Sequence, residues 1–305
     1  MNRSGRSPRG STECALARTE LHIVDGTYEL FRAWFGAPPK RAPDGREVGA
    51  TRGVLASLLT ILRTDKPVFM GCATDHVIRS FRNDLWPGYK TDGGLPEELL
   101  LQFELLEDML RAMGVVVWPM VEFEADDAMA TAAAKYRADF DRLLLCTVDK
   151  DLAQCVVGDD VILVDRRRKT TTNEAGVIEK FGVPPRSIPD YLALVGDAAD
   201  GYPGIPGFGK KSAAVILQAF GTIEEIPRTL GSWPKSLRSA DKLLASLTEK
   251  WEDALLFKRL ATLRYDAPLP EAAAELEWRG PTSAFTEKAT ELGFPELAER
   301  AARSR

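Results

Sequence analysis

From residue 21 onward, short apolar runs alternate with amphipathic stretches, and this alternation restricts the fold of the 305-residue chain more than any other feature. LHIV is followed by TYELFRAWF and ATRGVLASLLTILR, and then by PVFMGCAT. Further apolar runs lie at VVVW (115–118), RLLLCTV (142–148) and VILV (161–164). Strand-length apolar runs separated by segments of helical period predict a mostly parallel sheet with helices on both faces.

Acidic residues cluster where several of these runs end. Nine carboxylates fall into five groups: Asp25; Asp75; Glu124, Asp126 and Asp127; Asp149 and Asp151; Asp197 and Asp200. In an open α/β sheet the ligand crevice lies outside the carboxyl ends of the strands, so residues spread from position 25 to position 200 can meet there. Two such charges about 4 Å apart repel by roughly 4 kcal/mol at an effective dielectric near 20, unless cations sit among them. Oxygen-only donors favour hard ions, Mg²⁺ or Mn²⁺, and a pair of such ions suits in-line phosphodiester displacement. Each cluster taken alone reads more readily as a helix cap or turn former than as a ligand set. Their recurrence at separate strand ends weakens that reading, as does the fact that Asp126 and Asp127 cannot both cap ADDAMATAAAKYR. Asp165 closes VILVD without a second carboxylate, beside RRRK, and is read as structural.

A net charge of −5 argues against a nucleic-acid binder until the nine carboxylates are set aside. Forty-five acidic residues less nine leaves 36 against 40 basic ones, a surplus of four positive charges that leaves DNA open as a partner. The four cysteines show no C-x-x-C spacing, and two lie in apolar runs, so a reduced, cytoplasmic setting is expected. No apolar stretch has the length of a membrane span. Residues 1–20 are polar and Arg/Ser-rich and are expected to form a disordered tail.

Between the second and third strands lies VIRSFRNDLWPGYKTDGG, a basic and aromatic stretch suited to clamp a substrate, and then the helix PEELLLQFELLEDMLRAMG. After about residue 185 short helices replace strands. GYPGIPGFGKKSAAVILQAFG reads as a tight hairpin opening a helix, with Gly204, Gly207 and Gly209 permitting the turn. Lys210, Lys211 and Ser212 would face a phosphate at the helix start. Gly204 to Lys210 also matches the G-x-x-x-x-G-K phosphate loop, but Lys211 stands where a Mg²⁺-binding Ser or Thr belongs and no apolar strand precedes.

Taken in order, DGTYELFRA, Asp75, SFRNDLWPGYK, EADD, TVDKDLAQ, GDAAD and PGIPGFGKKSA resemble the 5′ nuclease family, above all the 5′-to-3′ nuclease domain of bacterial DNA polymerase I and related flap endonucleases. The resemblance covers about residues 21–290. It implies a PIN-like α/β nuclease domain over 21–185 with a helical arch at about 76–113, then a helix-3-turn-helix DNA-binding region and C-terminal helices over 186–305. It further implies a first-metal group of Asp25, Asp75, Glu124 and Asp126 and a second of Asp149, Asp151, Asp197 and Asp200, with Asp127 between them as ligand or support. Arg82 and Lys90 match arch-base residues that meet the scissile phosphate, and Tyr28 and Tyr89 match aromatics beside that site. Two divalent cations are implied, with K⁺ at the hairpin.

Two departures stand out. Gly201 replaces the Asn that follows GD-x-x-D in the family, and the arch tip TDGG is short and uncharged. The activity implied is 5′-to-3′ exonuclease and 5′-flap endonuclease cleavage of branched or nicked duplex DNA by a monomer. The same chemistry on RNA·DNA hybrids or RNA, and a non-catalytic junction binder, are the alternatives. Only His22 and His76 are present, neither beside a nucleophilic Ser or Cys, so covalent hydrolase chemistry has little support.

Overall fold

A computed structural model describes residues 19–303. The expected tail and Cys14 therefore lie largely outside the described residues, with one correction at its end. Glu20 already belongs to the first strand, and the Thr19 amide donates to Asp141 at 2.8 Å.

The chain runs β1 (Glu20–Asp25), α1 (Gly26–Gly36), α2 (Gly49–Thr64), β2 (Phe69–Asp75), α3 (Arg82–Leu85), α4 (Glu97–Ala112), β3 (Val116–Met120), α5 (Ala125–Lys135), β4 (Arg142–Cys146), β5 (Val161–Asp165), β6 (Thr170–Thr172) and α6 (Glu174–Phe181). Helices follow to the end: α7 (Ile188–Val195), α8 (Lys210–Phe220), α9 (Ala240–Glu249), α10 (Trp251–Ala261), α11 (Ser283–Glu291) and α12 (Pro295–Ala302). One six-stranded sheet has the order β3-β2-β1-β4-β5-β6. The first five strands are parallel, with Leu21 opposite Phe69 and Leu143, and β6 closes the edge antiparallel. The sequence carries no apolar signal for β6, because TTT makes an exposed edge strand with nothing to bury.

Strand alternation divides the core. Leu21 and Ile23 join Leu143, Leu145 and the small residues of α5 on one face, which continues into α7, α8 and α10. Val24, Met70, Cys72 and Leu144 face the other way, against α1, α2, α4, α11 and α12. In α2, Val54, Leu55, Leu58, Leu59, Ile61 and Leu62 recur at helical spacing and are all buried, each side chain contributing roughly 1.5–3 kcal/mol. Cys72, Cys146 and Cys155 are buried free thiols. Among the described residues no helix is long and apolar enough to cross a membrane. Asp165 accepts from the Arg168 amide at 2.9 Å and pairs with its guanidinium, the local role expected of it.

With both faces covered, polar chemistry is left to the strand ends. The carboxyl ends of β1, β2 and β4 open on the same side, where Asp25, Asp75 and Asp149 stand.

Candidate metal centre

Asp25 sits in the last position of β1 and begins α1, so it carries both its local and its site role. One oxygen accepts from the Tyr28 amide at 2.8 Å, as an N-cap does, and the other from Thr147 Oγ1 at 2.7 Å. Asp75 is held similarly at the end of β2. Its amide donates to Thr27 Oγ1 at 2.8 Å, and its Oδ1 accepts from the Ala125 amide at 2.6 Å. Glu124 precedes α5 and is buried among donors: Ser80 Oγ at 2.5 Å, Lys90 Nζ at 2.7 Å, Arg82 Nη1 at 3.2 Å and Tyr89 Oη at 3.3 Å.

Asp25, Asp75, Asp126, Asp149 and Asp200 line one cavity of about 330 Å³, together with Tyr28, Phe31 and Lys90. Oxygens of Asp151, Asp197 and Asp200 lie within 4.8 Å of one another. Asp149 Oδ1 accepts from the Asp151 amide at 2.8 Å, and Asp197 Oδ1 from the Ala199 amide at 3.0 Å. The Lys150 ammonium bonds Asp197, while Asp151 Oδ1 is buried without a hydrogen-bond partner.

Electrostatics separate Glu124 from the others. Burial, with the neighbouring Asp149 and Asp75 charges adding to it, lifts Asp25 to about 7 against the hydrogen bonds it accepts. Burial also lifts Asp75 to about 6, although Lys90 opposes it, and Asp200 to about 6. Asp126 and Asp151 are pushed well above the usual carboxylate range, first by burial and then by Asp149. Burial acts on Glu124 in the same direction, but the Lys90 and Arg82 charges outweigh it and hold that group at about 2. Carboxylates crowded this way retain protons or take up cations. Their oxygen-only chemistry fits hard divalent ions, as does Asp151 Oδ1, which accepts no hydrogen bond and has the Lys150 ammonium only at 3.9 Å.

Asp127 takes the supporting one of its two expected places, and Arg82 stands behind the cavity. Asp127 is fully buried: it accepts from both Arg82 terminal nitrogens at 2.7 Å, from the Glu124 amide at 3.0 Å and from the Arg264 amide at 2.9 Å. Its oxygens are thereby committed to holding the start of α5. Arg82 is 1 % exposed and also donates to the carbonyls of Leu260 at 2.9 Å and Thr262 at 3.2 Å, so its guanidinium is not free to meet a phosphate. Tyr89 is buried, with its hydroxyl on Glu124, whereas Tyr28 is half-buried at the cavity. Lys90 does reach the centre, 2.7 Å from Glu124 and 3.9 Å from Asp200, and thus lies between the two carboxylate groups.

At the hairpin, Lys210 and Lys211 are exposed at the first turn of α8. The Gly209 amide donates to Ser212 Oγ at 2.9 Å, so that hydroxyl closes the helix start. Gly207 is exposed at φ +87, as a turn glycine, but Gly204 is buried. A Cβ on Gly204 would lie 2.4 Å from the Gly196 nitrogen, so close backbone packing, not phosphate approach, demands glycine there. Thr27, Ser80, Thr147 and Lys150 were not legible as site residues. Only Lys150 carried a signal, its place between Asp149 and Asp151.

Comparison with known proteins accords with this arrangement. Residues 20–182 match the family described as 5′-3′ exonuclease, N-terminal resolvase-like domain, and residues 183–284 its C-terminal SAM fold. The chain is 30% identical over 279 residues to a 5′-3′ exonuclease of Aquifex aeolicus, covering 91% of this chain and 93% of that one. It is 35% identical over 257 residues to DNA polymerase I of Pseudomonas aeruginosa, covering 83% of this chain but only 28% of the polymerase. The fold is also that of a bacteriophage T5 flap endonuclease solved as a pseudo-enzyme-product complex with DNA and metal ions, with a TM-score of 0.63, 19% identity and coverage of 93% and 97%.

Proposed function

Because this chain belongs to the 5′-3′ exonuclease family and is by that membership a nuclease, we propose that its strand-end cavity hydrolyses phosphodiesters at 5′ ends and 5′ flaps of branched or nicked duplex DNA. The observation that carries the reading is the meeting of carboxylates from β1, β2, α5, the segment after β4 and the 197–200 loop around one cavity that Lys90 enters. Asp25, Asp75, Glu124 and Asp126 form one ligand group, and Asp149, Asp151, Asp197 and Asp200 the other. Two divalent ions bound there, Mg²⁺ or Mn²⁺, would relieve carboxylate repulsion and stabilise the attacking and leaving oxygens.

The chain's own groups do the rest. Thr147 and the Tyr28 amide orient Asp25, and the Ala125 amide orients Asp75. Lys90 supplies positive charge where negative charge builds on the oxygens of the transferring phosphate. Arg82 and Asp127 act one step back, by fixing Glu124 and α5. The exposed Lys210 and Lys211, at the N-terminal turn of α8, hold the duplex backbone. Water adds to phosphorus and the bond to the 3′ oxygen breaks, leaving 5′-phosphate and 3′-hydroxyl ends. Labelled 5′-flap, nicked duplex, single strand and matched RNA·DNA substrates, with Mg²⁺, Mn²⁺ or chelator, test this. Cleavage of the DNA flap and nick only with metal is expected, and failure to cut any DNA substrate overturns the reading.

A further inference from the structure

The expected helical arch at about 76–113 is reduced to residues 76–96, because α4 is buried in the core through Leu99, Phe103, Leu106 and Leu110. This segment is tied to the loop bearing Asp197 and Asp200 by contacts that phosphodiester chemistry does not itself require. Residues 86–90 form a turn closed by the Tyr89 amide on the Trp86 carbonyl at 3.0 Å. From that turn the Trp86 indole N–H donates to the Gly201 carbonyl at 3.1 Å, and the Lys90 amide donates to the Asp200 carbonyl at 3.2 Å. Asn83 Nδ2 holds the Lys90 carbonyl at 3.0 Å. The indole meets Phe257 of α10 edge-on with centroids 5.4 Å apart, and Phe257 stacks on Tyr202 at 5.5 Å. One aromatic series thus joins the turn, α10 and the carboxylate loop.

Gly201 makes the fit possible. Its φ is +83, and a Cβ there would lie 2.0 Å from the Gly88 carbonyl oxygen, an approach that any side chain forbids. An Asn at this position, as the family resemblance would place there, could not coexist with the turn as it lies in this chain.

We propose that Trp86 and Gly201 are positioning residues that latch the 86–90 turn onto the second carboxylate group and thereby fix the Lys90 ammonium between Glu124 and Asp200. A lysine head on a flexible four-carbon stem has many rotamers to lose, so its placement depends on how firmly its backbone is held. Here both backbone polar groups of Lys90 are bonded, one to the carboxylate loop and one to α3. The glycine that stands where the resemblance would place Asn admits a closer approach of the 86–90 turn, and the latch supplies order next to the short TDGG segment.

This inference rests on the nuclease reading, and its test separates the two. In the full chain, Trp86→Phe keeps an aromatic ring beside Phe257 but removes the N–H, and Gly201→Asn adds the side chain that the turn excludes. Hydrogen exchange over residues 86–95, without substrate, should accelerate about fivefold or more in both variants, as expected for a lost hydrogen bond. Single-turnover cleavage of a labelled 5′-flap should slow by about tenfold to 10²-fold, the scale of an ångström-sized misplacement. Affinity for the same flap in chelator should hold, and so should the melting temperature of Trp86→Phe. Unchanged exchange at 86–95, or a rate loss matched by an affinity loss, overturns the latch. If Gly201→Asn does not fold, Trp86→Phe decides. If the wild type cuts no flap, the nuclease reading falls while the exchange measurement still judges the latch.

Discussion

The two carboxylate groups are built differently. Asp25 and Asp75 stand at strand ends with their oxygens bonded to amides and a hydroxyl, and Glu124 is neutralised by Lys90 and Arg82. Asp151, Asp197 and Asp200 stand on connecting segments, balanced mainly by Lys150 and Lys90, and a buried oxygen of Asp151 accepts no hydrogen bond and meets the Lys150 ammonium only at 3.9 Å. Asp25 and Asp75 are set by the sheet itself, whereas Asp151, Asp197 and Asp200 depend on the segments that carry them. Burial leaves carboxylates of both groups under-compensated, Asp25, Asp75 and Asp126 as well as Asp151 and Asp200, and bound cations would complete both. Glu124 differs, because Lys90 and Arg82 hold it at about 2.

The largest effect that tests this division is chemical. Asp151→Asn should abolish flap cleavage while leaving flap binding in chelator intact, and wild-type turnover would remove Asp151 from the ligand set. Next comes stability. Glu124→Gln leaves Lys90 and Arg82 short of a buried counter-charge and should cost about 3 kcal/mol in denaturant unfolding without metal. Asp151→Asn, measured the same way, should instead stabilise by at least about 1 kcal/mol, because it relieves repulsion. Shifts of the same sign would erase the distinction between Glu124 and Asp151.

Lys90→Ala should lower the single-turnover rate on the order of 10²-fold with far less change in affinity. An affinity loss at unchanged rate would make Lys90 an ordinary phosphate contact and leave the two groups unbridged. The smallest effect lies outside the cavity. Lys210→Ala with Lys211→Ala should flatten the log-log salt dependence of duplex binding by about 0.9 per lost contact, without altering the single-turnover rate at saturation. An unchanged slope would leave the hairpin as packing only, consistent with the buried Gly204.

Much of this is legible in the sequence alone. Apolar runs of strand length separated by helical periods lead to the parallel sheet, and Asp25, Asp75 and Asp149 follow from where those runs end, because the side-chain period and burial of a strand are local properties. The exposed pair Lys210 and Lys211 follows from the Gly/Pro hairpin in the same way. What remained hidden was choice of partner. Asp126 and Asp127 are adjacent and chemically identical, yet one faces the cavity and the other is locked by Arg82. That outcome depends on the carbonyls of Leu260 and Thr262 arriving from the end of α10, nearly 180 residues beyond Arg82. Likewise the glycine at 201 reads locally as a missing amide, and becomes a fitted contact only when the Gly88 carbonyl packs against it. Local pattern decides which residues reach the strand ends; long-range packing decides which charges are neutralised there, since a buried ion pair exists only where distant segments bring the second charge.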